Sequence, residues 1–333
     1  MTSAERVKRV AGFGFTDRQA AFLVEVMLHS GFFLGRQYCA FARIVRGQKL
    51  VDFLDKLTSR KLATPYLCGH SKARVFHLHN ATLYDAIEQR DVRFRKRMAV
   101  GRAVERLIIL DHVIARREFR WLGAEQDKVA HFLTTTSLDR DALPRLAFGV
   151  EPNVTTRYFP DKLPIGVSPD GRVHAFLYLL ANPLAHDFRM FLRRHAELLR
   201  ALPTWSIQLL VPMEQTDKAG KAQDLADVYE NAFRQELAVP LDPVTANELR
   251  WFCQASVVRA EVVEDTRVRR ARRIFGTPRF RALRRALELD GGRAIDVAAS
   301  RSLADAIARA EGRFERHEMR RQYLHLSHLV GSA

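Results

Sequence analysis

The sequence predicts an α+β fold in which a small helical module closed by a β-hairpin precedes a mixed α/β segment and a mainly helical C-terminal region. Three observations predict it. Residues 14 to 62 hold three short runs with apolar side chains at helical spacing, and residues 63 to 79 hold two strand-like runs around a polar turn. Residues 157 to 212 then alternate strand, helix and strand, and helical periodicity returns from about residue 223.

The first helix opens at Phe15-Thr16-Asp17, where Thr16 is placed to cap it, and Phe22, Leu23, Val26 and Met27 share one face until Ser30-Gly31 ends the run. After Phe32-Phe33-Leu34, a short helix over about Arg36 to Ala42 turns Tyr38 and Phe41 inward, and Ile44-Val45-Arg46-Gly47 makes the turn. The third helix runs from about Gln48 to Ser59. Its spacing puts Leu50, Val51, Leu54 and Leu57 inward and Gln48, Lys49, Asp52, Asp55 and Lys56 outward. Strands Ala63 to Cys68 and Arg74 to His79 flank the turn Gly69-His70-Ser71-Lys72.

Three helices and a hairpin in this order predict a winged helix-turn-helix domain within residues 1–90. In that arrangement the third helix enters the major groove of double-stranded DNA and the hairpin tip touches phosphate or the minor groove. Arg43, Arg46, Gln48 and Lys49 are then the groove candidates, and Lys72 and Arg74 belong to the wing. Asp52 and Asp55 on the same helix would repel phosphate. A winged helix that contacts only protein is the competing reading, because a fold does not fix a function.

Residues 91–120 predict a connecting helix, Val92 to Arg120, with a basic start at Arg93-Phe94-Arg95-Lys96-Arg97 and Met98, Val100, Val104, Leu107, Ile108 and Val113 to bury. It either braces the domain or pairs two chains as a homodimer. Within residues 121–240, Tyr158 to Ile165 begins an α/β unit, Pro169-Asp170-Gly171 supplies a turn, and Val173 to Leu180 is an apolar strand. An amphipathic helix from about Ala185 to Leu202 buries Phe188, Phe191, Leu192, Leu198 and Leu199, exposes Arg189, Arg193, Arg194 and Arg200, and leads into the strand Ser206 to Val211. A helix over Gln223 to Ala238 follows. In residues 241–333 helices are expected at Pro243 to Ala255, around Thr266 to Phe275 and at Ser302 to Arg309, before an irregular end.

The opening Phe15-Thr16-Asp17-Arg18-Gln19, the segment Lys56-Leu57-Thr58-Ser59-Arg60-Lys61-Leu62 and Pro160-Asp161 before a hairpin and a helix give residues 14 to 212 a resemblance to the replication-relaxation family of plasmid and mobile-element proteins. The resemblance implies a winged helix followed by a restriction-endonuclease-like domain. A working nuclease of that fold needs several carboxylates around Mg²⁺ with a lysine nearby. Asp161 is the candidate first acid, but the next strand reads Ala175-Phe176-Leu177-Tyr178-Leu179-Leu180, with Tyr178 where the resemblance places an acid. The expectation is therefore a nuclease-like scaffold without its catalytic set, with a metal-dependent nuclease as the alternative.

The net charge of +16 is unevenly spread: residues 1–90 carry +7 and 91–120 carry +5, whereas 121–266 carry −5 and 267–333 carry +9. Two basic ends around an acidic middle point to a polyanionic partner. Nine arginines lie between Arg267 and Arg285; Arg269, Arg270, Arg272 and Arg273 are candidates for a second phosphate-binding surface, set against the alternative of a solvated arginine-rich helix. Cys39, Cys68 and Cys253 are too scattered for a disulfide framework or a zinc site and suit a reducing compartment. No long apolar run suggests a leader or a spanning helix, so a cytoplasmic location without membrane contact is expected. Gly12-Phe13-Gly14 lacks the context of a dinucleotide loop and no Gly-Lys-Ser/Thr motif occurs. His77, His79, His325 and His328 have no acidic or thiol partner at ligand spacing. No metal or other cofactor is expected. Together these readings predict a non-catalytic DNA-binding protein of a mobile element, acting in replication, transfer or transcription control.

Overall fold

The computed structural model describes residues 1–68, 74–96, 99–150, 152–212, 221–258, 266–291, 294–295, 300–319 and 323, and is of mixed α+β class. These residues form two compact units. The first is Met1–Ala124 with Pro212, Glu318, Met319 and Tyr323; the second is Glu125–Val211 with the described residues from 221 to His317. Among the described residues, no helix is long and apolar enough to cross a membrane.

The first unit begins with α1 (Ser3–Ala11), which the sequence reading did not foresee. Thr2 and Glu5 form a reciprocal capping box at its start, as Thr16 and Gln19 do for α2 (Asp17–His29). Then come β1 (Phe32–Leu34), α3 (Gly35–Ala42), α4 (Gln48–Ser59), β2 (Ala63–Leu67), β3 (Arg74–Leu78), α5 (Ala81–Ala86), α6 (Val100–Ala115) and β4 (Arg120–Leu122). The long connecting helix expected from Val92 is thus shorter, with Arg93–Arg95 in a separate 3₁₀ turn. β1, β3 and β2 form an antiparallel sheet in that order, with Phe33 and Pro65 both opposite Phe76. Pro65 is tolerated because β2 is an edge, where a missing N–H breaks no second ladder.

Phe22 organises this unit's core, its ring centroid lying 5.3 Å from Phe33 and Tyr38, 5.5 Å from Phe41 and 6.1 Å from Phe53. On α4 the buried side chains are Leu50, Phe53 and Leu57, while Val51, expected inside, is 46% exposed. The spacing 50, 53, 57 follows one helical stripe, and residue 51 lies off it. A buried polar joint fixes α3 on α6. Gln37 donates from Nε2 to the Leu107 carbonyl (3.0 Å) and to Asp111 Oδ1 (2.9 Å), and accepts from the Leu34 N–H (2.8 Å). Arg36 makes a bidentate pair with Asp111, 2.7 Å on both arms, and the Tyr323 hydroxyl joins both.

The second unit contains α7 (Glu125–Thr135), the hairpin β5 (Arg145–Phe148) and β6 (Thr155–Tyr158), β7 (Ile165–Val167), β8 (Val173–Leu179), α8 (His186–Ala201) and β9 (Thr204–Pro212). It continues with α9 (Lys221–Phe233), which ends in a π-helical turn, then α10 (Pro243–Val258), α11 (Thr266–Phe275), α12 (Pro278–Asp290), α13 (Arg301–Ala308) and β10 (Gly312–Met319). Within this unit the sheet runs β10, β9, β8, β7. β7 and β8 are antiparallel across a tight turn, whereas β8 and β9 are parallel and need the α8 crossover between them. β10 replaces the expected irregular end. It lies beside β9, where the Trp205 N–H donates to the Glu311 carbonyl and Gln208 Nε2 donates to Glu315 (2.9 Å), tertiary contacts that a local reading of Gly312 to Met319 cannot supply. One core gathers Phe176, Phe188, Phe191, Trp205, Ile207 and Phe233, and a second gathers Leu249, Phe252, Phe275 and Leu283 from α10 to α12.

Candidate nucleic-acid interface

The turn between α3 and α4 brings together the four groove candidates, Arg43, Arg46, Gln48 and Lys49. α3 ends at Arg43, whose left-handed backbone (φ 53°) reverses the chain, while Arg117 donates to the Ala40 carbonyl (3.1 Å) and the Phe41 carbonyl and so satisfies the helix's last acceptors. α4 begins after Gly47 with no side-chain cap, so its first N–H groups remain open to an anion. Arg43, Arg46, Gln48 and Lys49 are all exposed around this uncapped end. Among the described residues, the Arg43, Arg46 and Lys49 side chains form no ion pair and donate no hydrogen bond. Val45 is 87% exposed beside them.

Gln48 differs from its neighbours. Its Nε2 donates to Asp52 Oδ1 at 2.7 Å, one helical turn away, so an acid expected to oppose phosphate is engaged by an amide. Lys56, expected outside, is half-buried and donates to the Gly14 carbonyl (2.9 Å), with Arg60 donating to Phe13 (2.7 Å). These two cations tie the far half of α4 to the turn before α2 and leave its N-terminal half as the free cationic end. Arg74 is exposed at the start of β3, while Lys72 lies outside the described residues.

On α11, Arg269, Arg270, Arg272 and Arg273 are exposed, opposite buried Ala271 and Phe275. At about 100° per residue the four guanidiniums span an arc of roughly 160°. They form no ion pair among the described residues, whereas Arg267 lies over the Trp251 ring, 3.8 Å from its centroid. Four unpaired guanidiniums on one helical face make a surface suited to successive phosphates. The chain matches no protein-family model, no curated protein and no solved structure.

The candidate nuclease acid is already engaged. Asp161 accepts two hydrogen bonds from Arg194 Nη1, at 2.7 and 2.9 Å, with both side chains largely shielded. Arg194 was expected to be exposed, as were Arg189 and Arg193. Instead Arg189 Nη1 and Arg193 Nη2 lie 2.6 and 2.5 Å from the two oxygens of Glu236, all three groups less than a tenth exposed. The sequence pattern misplaced these arginines because α8 is covered on more than one side: α9 and its π-turn, α12 and α13 all pack against it. Next to Arg194, His195 is buried, donates from Nδ1 to the Phe191 carbonyl (2.8 Å), and is pushed down to about 4 by burial, so it is neutral at pH 7. Lys128, fully buried, donates to the Leu163 carbonyl at 2.7 Å. No group of three or more His, Cys, Asp or Glu side chains able to hold a metal occurs among the described residues.

His77 and His79 have packing roles. His77 stacks on Phe32 at 4.2 Å and contacts the Phe94 carbonyl, and His79 pairs with Thr64. His325 and His328 lie outside the described residues. Gly12-Phe13-Gly14 forms the turn between α1 and α2.

Proposed function

We propose that this chain is a non-catalytic protein that binds double-stranded DNA through its N-terminal unit. The observation that carries the reading is the uncapped N-terminus of α4 ringed by Arg43, Arg46 and Lys49, three exposed cations without an ion-pair partner among the described residues. The order α2, β1, α3, α4, β2, β3, with β1-β3-β2 pairing, supports a winged helix-turn-helix in which α4 is the groove helix. The antiparallel β7–β8 pair followed by α8 and parallel β9 supports a nuclease-like scaffold for the second unit. Engagement of Asp161 by Arg194 argues against that acid binding Mg²⁺. The sequence resemblance supports service to a mobile element in replication, transfer or transcription control, and α11 offers a second phosphate-binding surface. α6 packs on α2, α3 and β1 with Leu107, Ile108, Leu110 and Val113 buried, which favours the bracing role expected of this segment over the pairing of two chains.

The test is binding of the full chain to random-sequence duplex DNA across a salt series, with and without Mg²⁺. Steep salt dependence with intact DNA is expected. Arg46→Ala with Lys49→Ala should lower the slope of log K against log salt by about 2, since each phosphate contact contributes about 0.9. No binding at low salt overturns the reading in favour of a protein-contact module. Mg²⁺-dependent cleavage lost in Asp161→Ala overturns the non-catalytic part.

A further inference from the structure

The acid at the centre of the proposed DNA-binding helix has a use that net charge does not explain. Asp52 faces outward on α4 together with Gln48, where a carboxylate weakens any phosphate contact. It accepts the Gln48 Nε2 hydrogen bond at 2.7 Å. A glutamine amide carries two N–H donors and one carbonyl oxygen, and without such a partner its plane is free to turn. With one N–H directed to Asp52, rotation of the amide is restricted, and its oxygen and second N–H have no protein partner among the described residues. A donor beside an acceptor complements the major-groove edge of adenine, which presents N6–H and N7. Guanine presents two acceptors there, O6 and N7, and would set O6 against the glutamine oxygen.

The surroundings favour the same base pair. Val51, three residues along α4 from Gln48 and 46% exposed, and Val45, 87% exposed, are apolar side chains of the kind that contacts a thymine 5-methyl. A Cβ built on Gly47 meets nothing within 4 Å, so the backbone before Gln48 is open to close approach by a base edge. Arg43, Arg46 and Lys49 flank the stripe as phosphate contacts that fix position without reading sequence.

We infer that Gln48, held in position by Asp52, reads adenine in the major groove, so that the preferred ligand is duplex DNA with an A·T pair at a fixed place in each site. The inference rests on the DNA-binding reading above, and its test separates the two. The full chain is used to select sites from a random duplex pool, and binding to the selected site is compared with binding to random duplex. An A·T pair preferred by about 5- to 150-fold is expected, the range of one bidentate base contact. Replacing that adenine by 7-deazaadenine, which lacks the N7 acceptor, removes most of this preference from the wild-type chain and costs Gln48→Ala nothing further. Asp52→Ala binds random duplex more tightly, because a like charge has gone, yet discriminates less, a combination that general loss of structure does not produce. Selection without such an A·T position, or a preference that survives in Gln48→Ala, overturns the inference while DNA binding stands. An Asp52→Ala preference equal to wild type overturns the positioning role. No binding of any duplex at low salt brings down the underlying function itself.

Discussion

Glu236 is the residue whose removal should cost the second unit most per atom changed. Its two oxygens face Arg189 (2.6 Å) and Arg193 (2.5 Å), and its side chain is 1% exposed. Arg189 also donates to Gln235 Oε1 (2.6 Å), and Arg193 to the Arg279 carbonyl (2.8 Å). Burial pushes the Arg193 guanidinium down to about 10 even with Glu236 beside it, so this cation depends on its counter-charge. Glu236→Gln keeps the shape and one acceptor but leaves two buried cations without an anion. Removing one partner of a buried pair costs about 3–5 kcal/mol, and with two cations exposed to the loss the upper part of that range is expected. Equilibrium urea unfolding read by tryptophan fluorescence, with Trp205 in this unit's core, measures it as a lower midpoint at constant slope. The loss should be similar at low and high salt, because shielded charges are screened little. The triple change Arg189→Met, Arg193→Met, Glu236→Leu should recover most of the loss, since apolar replacement of a whole buried ion cluster is often neutral or stabilising. A Glu236→Gln cost below about 1 kcal/mol, or one that vanishes in high salt, would refute the reasoning.

Two further outcomes follow from the packing. His195 is held neutral by burial, with a pKa near 4 in the folded chain against about 6.5 unfolded. The unfolded state binds more protons between these values, so the contribution is complete above pH 6.5 and is lost as pH falls towards 4. At pH 4.5 the loss relative to pH 7.5 should be on the order of 2 kcal/mol, and His195→Gln should remove that share of the pH dependence; identical profiles for the two proteins would contradict it. Gly31, at φ +78°, would bring a Cβ to 2.4 Å from the Phe94 carbonyl oxygen, so Gly31→Ala should destabilise the first unit by about 2 kcal/mol or more. Gly101→Ala on α6, with open space around it, serves as the control and should be neutral or stabilising by up to about 1 kcal/mol. Equal melting temperatures for the two variants would dismiss the clash.

Much of the first unit was legible because its determinants are local. Thr16 with Gln19 three residues on, the apolar stripe through Phe22 and Met27, and the two runs around residues 69–72 each act over one or two turns of chain. The cationic residues from Arg43 to Lys49 were legible for the same reason, whereas the engagement of Asp52 by Gln48 came from the structure. β1 was missed because three apolar residues carry no period, and α1 because its case rests on caps and charge more than on an apolar stripe. Tertiary structure alone decided which arginines are free. Arg189, Arg193 and Arg194 lie on a helix whose pattern leaves them outside, yet Glu236 and Asp161 reach them across 47, 43 and 33 residues of chain. The same holds for Asp111, which meets Arg36 from 75 residues away, and for Gly312 to Met319, which becomes a strand beside β9. A sequence fixes which side chains can be charged and which faces are apolar; whether a charge meets water or a counter-charge depends on what else packs there, and local periodicity holds no record of that.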